Sequence, residues 1–92
     1  MIRVFIPSQL QSYTAGVTNV EVTGVEVGGE TVGGVLDQLD SRFPGIKFRV
    51  IDEQDRVRQH MKLFVGRERT QDLGAPIADG QELLIFGALS GG

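Results

Sequence analysis

Hydrophobic and polar positions alternate at both ends of the chain and fall into a helical rhythm between them. Ile2, Val4 and Ile6 alternate with Arg3 and Phe5, which predicts a short strand with one face in the core. Pro7 and Ser8 end it, and Leu10 to Gly16 reads as a turn-containing connection that pivots at Gly16. From Asn19 to Val27, Val20 and Val22 alternate with Glu21 and Thr23 until Gly24 interrupts, and a bulge is expected at that glycine. The two runs together predict an N-terminal hairpin.

Gly28-Gly29-Glu30 breaks the second run, and Thr31 follows as a helix N-cap whose hydroxyl accepts an otherwise unpaired amide of the first turn. Val32, Val35, Leu36, Leu39 and Phe43 then form one apolar stripe of an α-helix, with Asp37, Gln38, Asp40 and Ser41 on the wet side. Gly33 and Gly34 each weaken such a helix by about 1 kcal/mol relative to alanine. Either the helix approaches the sheet closely there or its first turn is loose. Pro44-Gly45 stops the helix.

Ile46 to Ile51 has room for a short helical turn, followed by a charged loop from Asp52 to Arg58. Met61, Leu63 and Val65 alternate with Lys62 and Phe64 as a further strand, and Gly66 to Asp72 makes a turn with space for a short edge strand. Ala78-Asp79-Gly80 is a turn signal, and Glu82 to Phe86 is the last strand. The order is ββαββ. One helix crossing one face of a mixed sheet of four or five strands satisfies it, with handedness set by the crossover rule. The expected fold is α+β, a β-grasp (ubiquitin-like) roll spanning residues 1–86, with residues 87–92 as a flexible arm.

A single helix covers only one face of such a sheet. With Ile2, Val4, Ile6, Met61, Leu63, Val65, Leu83 and Ile85 turned toward it, Arg3, Lys62 and Glu82 turn outward as expected. Phe5, Phe64, Leu84 and Phe86 turn outward too. The first, third and last strands of a β-grasp are neighbours, so these four side chains form one patch. Exposed apolar clusters mark partner surfaces; the alternative is that a loop or the chain's own tail folds over them. Partner docking through Phe86, Leu84, Phe64 and Phe5 is the reading carried forward.

Composition narrows the chemistry. The 92 residues fit one domain, 40% hydrophobic and 23% charged, and contain no cysteine. That excludes disulfides, thiolate nucleophiles, cysteine-ligated zinc and iron–sulfur clusters. Net charge is −3, which argues against nucleic acid as partner. Eight of the nine basic residues nevertheless lie between Arg42 and Arg69, as a solvated face or a docking surface for an acidic partner. Neither a signal peptide nor a membrane-spanning run is recognisable, so cytoplasmic localisation and no membrane partner are expected.

His60 is the only histidine, so no metal site and no catalytic Ser/His/Asp set is expected. Asp52, Glu53 and Asp55 lack the full calcium-loop pattern and read as a solvated turn. Gly28 to Gly34 lacks the Lys-Ser/Thr ending of a nucleotide loop; a strand end with a helix cap explains it better.

After Phe86 the sequence ends Gly87-Ala88-Leu89-Ser90-Gly91-Gly92. Two glycines without Cβ atoms can thread a narrow channel and leave the final carboxylate open to attack on a phosphate or by a sulfur nucleophile. A partner can grip such an arm through main-chain hydrogen bonds. The run Ile77-Ala-Asp-Gly-Gln-Glu-Leu-Leu-Ile-Phe-Gly-Ala-Leu-Ser-Gly-Gly92 resembles the ending of ubiquitin-like sulfur carriers, the ThiS/MoaD family. The first strand, the Pro44-Gly45-Ile46 helix stop and Lys62-Leu-Phe-Val-Gly66 fall where that family has matching elements.

The resemblance implies that the chain is not an enzyme but a carrier, or the small subunit of a sulfur-transfer enzyme. It binds no cofactor and is monomeric when free. A ubiquitin-activating-like adenylyltransferase would use ATP to adenylate the carboxylate of Gly92. A sulfur donor enzyme would then convert it to a thiocarboxylate, for delivery to a sulfur-accepting enzyme of molybdopterin, thiamin or cysteine biosynthesis. Gly91, Ser90, Leu89 and Ala88 would form the threaded arm, and Phe86 matches an interface aromatic of the molybdopterin-synthase small subunit. Gly87-Ala88 stand where that subunit has prolines, while Ile46 to Arg58 leans toward the cysteine-type carriers. Two other readings stay open: a ubiquitin-like modifier conjugated through Gly92, and a non-covalent β-grasp interaction module.

Overall fold

The structure, a computed structural model, describes residues 1–22 and 30–87. The expected extension of the second strand to Val27, its bulge at Gly24 and the Gly28-Gly29 break lie outside those residues, as do Ala88, Leu89, Ser90, Gly91 and Gly92.

Strand β1 (Ile2–Phe5) pairs antiparallel with β2 (Asn19–Val22), the predicted hairpin. The connection between them is more helical than its sequence suggests. Ser8–Leu10 is a single 3-10 turn, and turns continue through Gly16, with Tyr13 N–H donating to Leu10 O and Thr14 N–H to Gln11 O. Ala15 and Gly16 at its end are both left-handed, at φ 54° and 86°, so the pivot extends over two residues. Thr14 is buried there, its hydroxyl donating to Val17 O at 2.8 Å.

Helix α1 (Val32–Arg42) starts where its cap predicts: the Thr31 hydroxyl accepts from Gly34 N–H at 3.1 Å. Val32, Val35, Leu36 and Leu39 are fully buried and Phe43 packs at the margin. Gly45, at φ 97°, supplies the left-handed residue between α1 and the short α2 (Ile46–Val50). Asp40 Oδ1 accepts the N–H groups of Gly45 and Lys47 across this corner.

Strand β4 (Met61–Val65) turns through left-handed Gly66 into β5 (Glu68–Thr70), the short edge strand. The last strand, β7 (Glu82–Gly87), inserts between β1 and β4, parallel to the first and antiparallel to the second. It runs one residue beyond the expected Phe86, with Gly87 opposite Met61. The sheet is five-stranded and mixed, in the order β2-β1-β7-β4-β5, with one main helix across it, the β-grasp roll. Ile2, Val4, Ile6, Leu63, Leu83 and Ile85 face that helix at 0–1% exposure.

A second, two-stranded ladder was not legible in the sequence. Strands β3 (Glu30–Thr31) and β6 (Pro76–Ile77) pair antiparallel and tie the start of α1 to the segment before β7. Val32 N–H donates to Ala75 O and Gly33 N–H to Leu73 O, so two orphan amides of the first helical turn are satisfied by this segment. The two helix glycines therefore answer to close approach rather than to a loose turn. A Cβ on Gly33 would stand 3.1 Å from Leu73 O, and one on Gly34 only 1.9 Å from Glu30 Oε1. Glu30 is 7% exposed; its carboxylate accepts from Thr31 N–H at 3.2 Å and from Gln38 Nε2 at 2.9 Å. Gln38, expected on the wet side, is thus half-buried in that contact.

Candidate functional site

The alternation that buries Leu63, Leu83 and Ile85 turns the residues between them to the uncovered face. Because β7 lies between β1 and β4, Leu84 stands opposite Phe5 on one side and Phe64 on the other, and Phe86 opposite Lys62. The three rings then meet around Phe86. Its centroid is 5.6 Å from Phe5 with planes tilted 42°, and 5.7 Å from Phe64 edge-to-face at 78°. Such pairs contribute roughly 0.5–1.5 kcal/mol beyond their burial. Phe5, Phe64 and Leu84 are half-buried and Phe86 is 41% exposed. All four predicted docking residues share one face, at the end of the strand from which residues 88–92 continue.

Charge is arranged around the cluster by the same register. Lys62 stands opposite Phe86 and Arg69 opposite Phe64. Arg67, at the hairpin tip, lines a hollow of about 360 Å³ with Gly66, Gln81, Glu82 and Leu84. On the far side, Arg3 has Glu21 and Glu82 as its register partners.

Strand order also brings an unforeseen residue to the exit of the arm. β1 and β7 are parallel, so the chain leaving β1 runs beside the end of β7. Gln9 of the 3-10 turn lies over Gly87, where a Cβ would come within 2.5 Å of its Nε2 and 2.8 Å of its Cδ. Gly87 admits the Gln9 carboxamide because it lacks a side chain. The sequence held one faint signal for this, a glycine directly following an apolar strand.

The remaining candidate chemistry resolves into local structure. Asp52 Oδ1 accepts the N–H groups of Gln54 at 2.9 Å and Arg56 at 3.0 Å. The Arg56 N–H above all, then that of Gln54 and the charges of Arg56 and Arg58, hold this carboxyl below its usual range. The acidic loop is a self-capped turn. Lys47 is raised above its ordinary range chiefly by its hydrogen bond to Asp37. His60 is exposed, and among the described residues no three His, Cys, Asp or Glu side chains gather in a metal-holding group. Phe48, 56% exposed on α2, carries the Arg58 guanidinium 4.6 Å above its ring. Among the described residues no helix is long and apolar enough to cross a membrane.

No protein-family model matches the sequence, and no curated protein matches it. Solved structures do. A chain of the Amycolatopsis orientalis BexX/CysO complex superposes with a TM-score of 0.86 at 32% identity, with 100% of both chains covered. Mycobacterium tuberculosis CysO, described as an antigen, superposes at 0.85 with 26% identity over 97% of this chain and 100% of its own. SAMP1 from Haloferax volcanii, a small archaeal modifier protein, superposes at 0.81 with 31% identity, over 99% of this chain and 98% of that one.

Proposed function

The chain belongs to the ubiquitin-like sulfur-carrier family, the ThiS/MoaD family, and on that premise we propose that it carries sulfur on the carboxylate of Gly92. The carboxylate is a poor electrophile, so it must first be activated. One of its oxygens attacks the α-phosphorus of ATP in a partner adenylyltransferase, pyrophosphate leaves, and an acyl-adenylate forms. Hydrosulfide then attacks the carbonyl carbon, the bond to AMP breaks, and a thiocarboxylate remains with the proton passed to solvent. A persulfide donor reaches the same product through an acyl disulfide that a thiol cleaves. The chain supplies no acid, base or metal to these steps; it supplies the arm and the surface by which enzymes hold it.

The observation that carries the reading is positional. β7 delivers the chain to Gly87 directly beside the Phe5–Phe64–Phe86 cluster. Residues 88–92 span at most ~17 Å when fully extended, so an enzyme acting on Gly92 must rest against the domain close to that cluster. Likeness to CysO supports a carrier, and the BexX/CysO structure is of a relative held with another protein. Delivery into cofactor or cysteine biosynthesis, in the cytoplasm, is part of the proposal. Residues 1–87 serve as the docking domain, with Gly87 still in β7, and 88–92 as the arm.

Likeness to a small archaeal modifier protein at 31% identity favours a second use of the same activated carboxylate, conjugation to lysine amines of target proteins. Activation is common to both, so ATP–pyrophosphate exchange with the purified adenylyltransferase of the source organism tests the shared step. Exchange with the full chain and none with a variant lacking Gly91 and Gly92 is expected. Equal exchange with both, or none with either, rejects Gly92 as the working group. The acceptor, sulfide or amine, then separates carrier from modifier.

A further inference from the structure

The open face of the sheet is divided by charge. Lys62, Arg67 and Arg69 are exposed and run as a column along the β4–β5 side of the aromatic cluster. Among the described residues, none of the three has an ion pair or a side-chain hydrogen bond. The β1–β2 side differs: there Arg3 has Glu21 as its register partner, while Glu82, on the central strand, stands between Arg3 and the hollow that Arg67 lines. A chain of net charge −3 thus gathers three cations that lack an ion pair beside the exposed ring of Phe86.

A partner that covers Phe86 with apolar side chains must also approach these cations. Removing charges from water without an opposing charge is unfavourable. Carboxylates at the rim of the contact turn that penalty into faster encounter and fixed orientation. A half-turn of the same partner would set its carboxylates on the side of Glu21. Orientation matters because the arm leaves from only one end of β7, at Gly87, and only one way round aims residue 92 at a reacting centre.

We propose that the open face docks an apolar patch of the adenylyltransferase flanked by carboxylates that lie over Lys62, Arg67 and Arg69. This inference rests on the sulfur-carrier reading and adds to it the polarity and orientation of the enzyme's surface. The adenylyltransferase is the partner concerned because it alone must dock the unmodified chain.

The test is ATP–pyrophosphate exchange by the purified enzyme, titrated with the full chain at low and high salt. The variant K62E/R67E/R69E alters exposed side chains only, and its circular dichroism should match that of the parent. Its half-saturating concentration is expected to rise on the order of tenfold at low salt, with the maximal rate unchanged. The rise should shrink as salt screens the rim. E21K, on the opposite side, should leave the value unchanged or lower it. If K62E/R67E/R69E saturates like the parent while F86A does not, docking is apolar alone and the carboxylate-bearing surface is rejected. If the parent chain supports no exchange, the sulfur-carrier reading falls and takes this inference with it.

Discussion

The two faces of the one sheet are built from the same alternation and meet opposite fates. Toward α1 stand aliphatic side chains, Ile2, Val4, Leu63, Leu83 and Ile85, each at 0–1% exposure. Away from it stand Phe5, Phe64, Leu84 and Phe86, packed largely on one another and left open to solvent. Branched aliphatics fill the space between helix and sheet closely, and any missing methylene there leaves a void. Rings that meet tilted or edge-to-face keep a defined shape without a roof over them. Stability is concentrated on one face, and the proposed docking surface is the other.

Truncation on the covered face should therefore have the largest effect on folding. Leu63→Ala or Ile85→Ala is expected to lower stability by about 2–5 kcal/mol, a large share of what a domain of this size has, read as an earlier urea midpoint. Next comes the attachment of the helix that covers this face. Gly34→Ala drives a Cβ into the Glu30 carboxylate, which is held by Thr31 N–H and Gln38. A net loss of about 1–2 kcal/mol is expected, since the hydrogen bonds forfeited outweigh the gain in helix propensity. In a Glu30→Ala background only Thr31 Oγ1, at 3.3 Å, still crowds the new methyl, and the cost of the same G34A change should shrink to about 0.5 kcal/mol or less. A G34A change that stabilises the parent chain would contradict the close approach.

On the open face the ranking reverses. Phe86→Ala should lower stability by about 1–2 kcal/mol, because two ring contacts are lost from a side chain that is 41% exposed, while raising the half-saturating concentration for adenylation. A loss of stability as large as that of Leu63→Ala would erase the contrast between the faces. Smallest of all is Gly87→Ala, at the border of the open face and the arm. The new methyl meets the far end of an exposed glutamine side chain rather than backbone, so stability should fall by less than about 1 kcal/mol. The side-chain amide resonances of Gln9 should nevertheless move in a 1H–15N spectrum, and unmoved resonances would mean that Gln9 does not lie on Gly87.

What the sequence revealed follows from how far each feature reaches along the chain. Strands β1, β4 and β7 announced themselves by period-two alternation, and α1 by its stripe and the Thr31 cap. The same alternation, continued across neighbouring strands, placed all four open-face residues. The β3–β6 ladder is two residues per strand, too short to carry a period. Glu30 is buried although its type usually lies at the surface, because a ladder partner and Gln38, eight residues away, close around it. The turns through residues 11–16 are built from local hydrogen bonds that no apolar rhythm records. Gln9 meets Gly87 only because β1 and β7 pair in parallel, a contact spanning almost the whole chain. The cation column was visible as a bias toward the second half of the sequence, but register was needed to set Lys62 and Arg69 beside the rings.

The central claim is that Gly92 is the working group, and intact mass tests it most directly. The full chain is incubated with ATP, the adenylyltransferase and a sulfide donor, beside a variant lacking Gly92. A gain in mass equal to replacing one oxygen by sulfur, in the full chain alone, is the expected result. An unchanged mass under conditions in which the adenylyltransferase is active, or the same gain in the shortened chain, would contradict it.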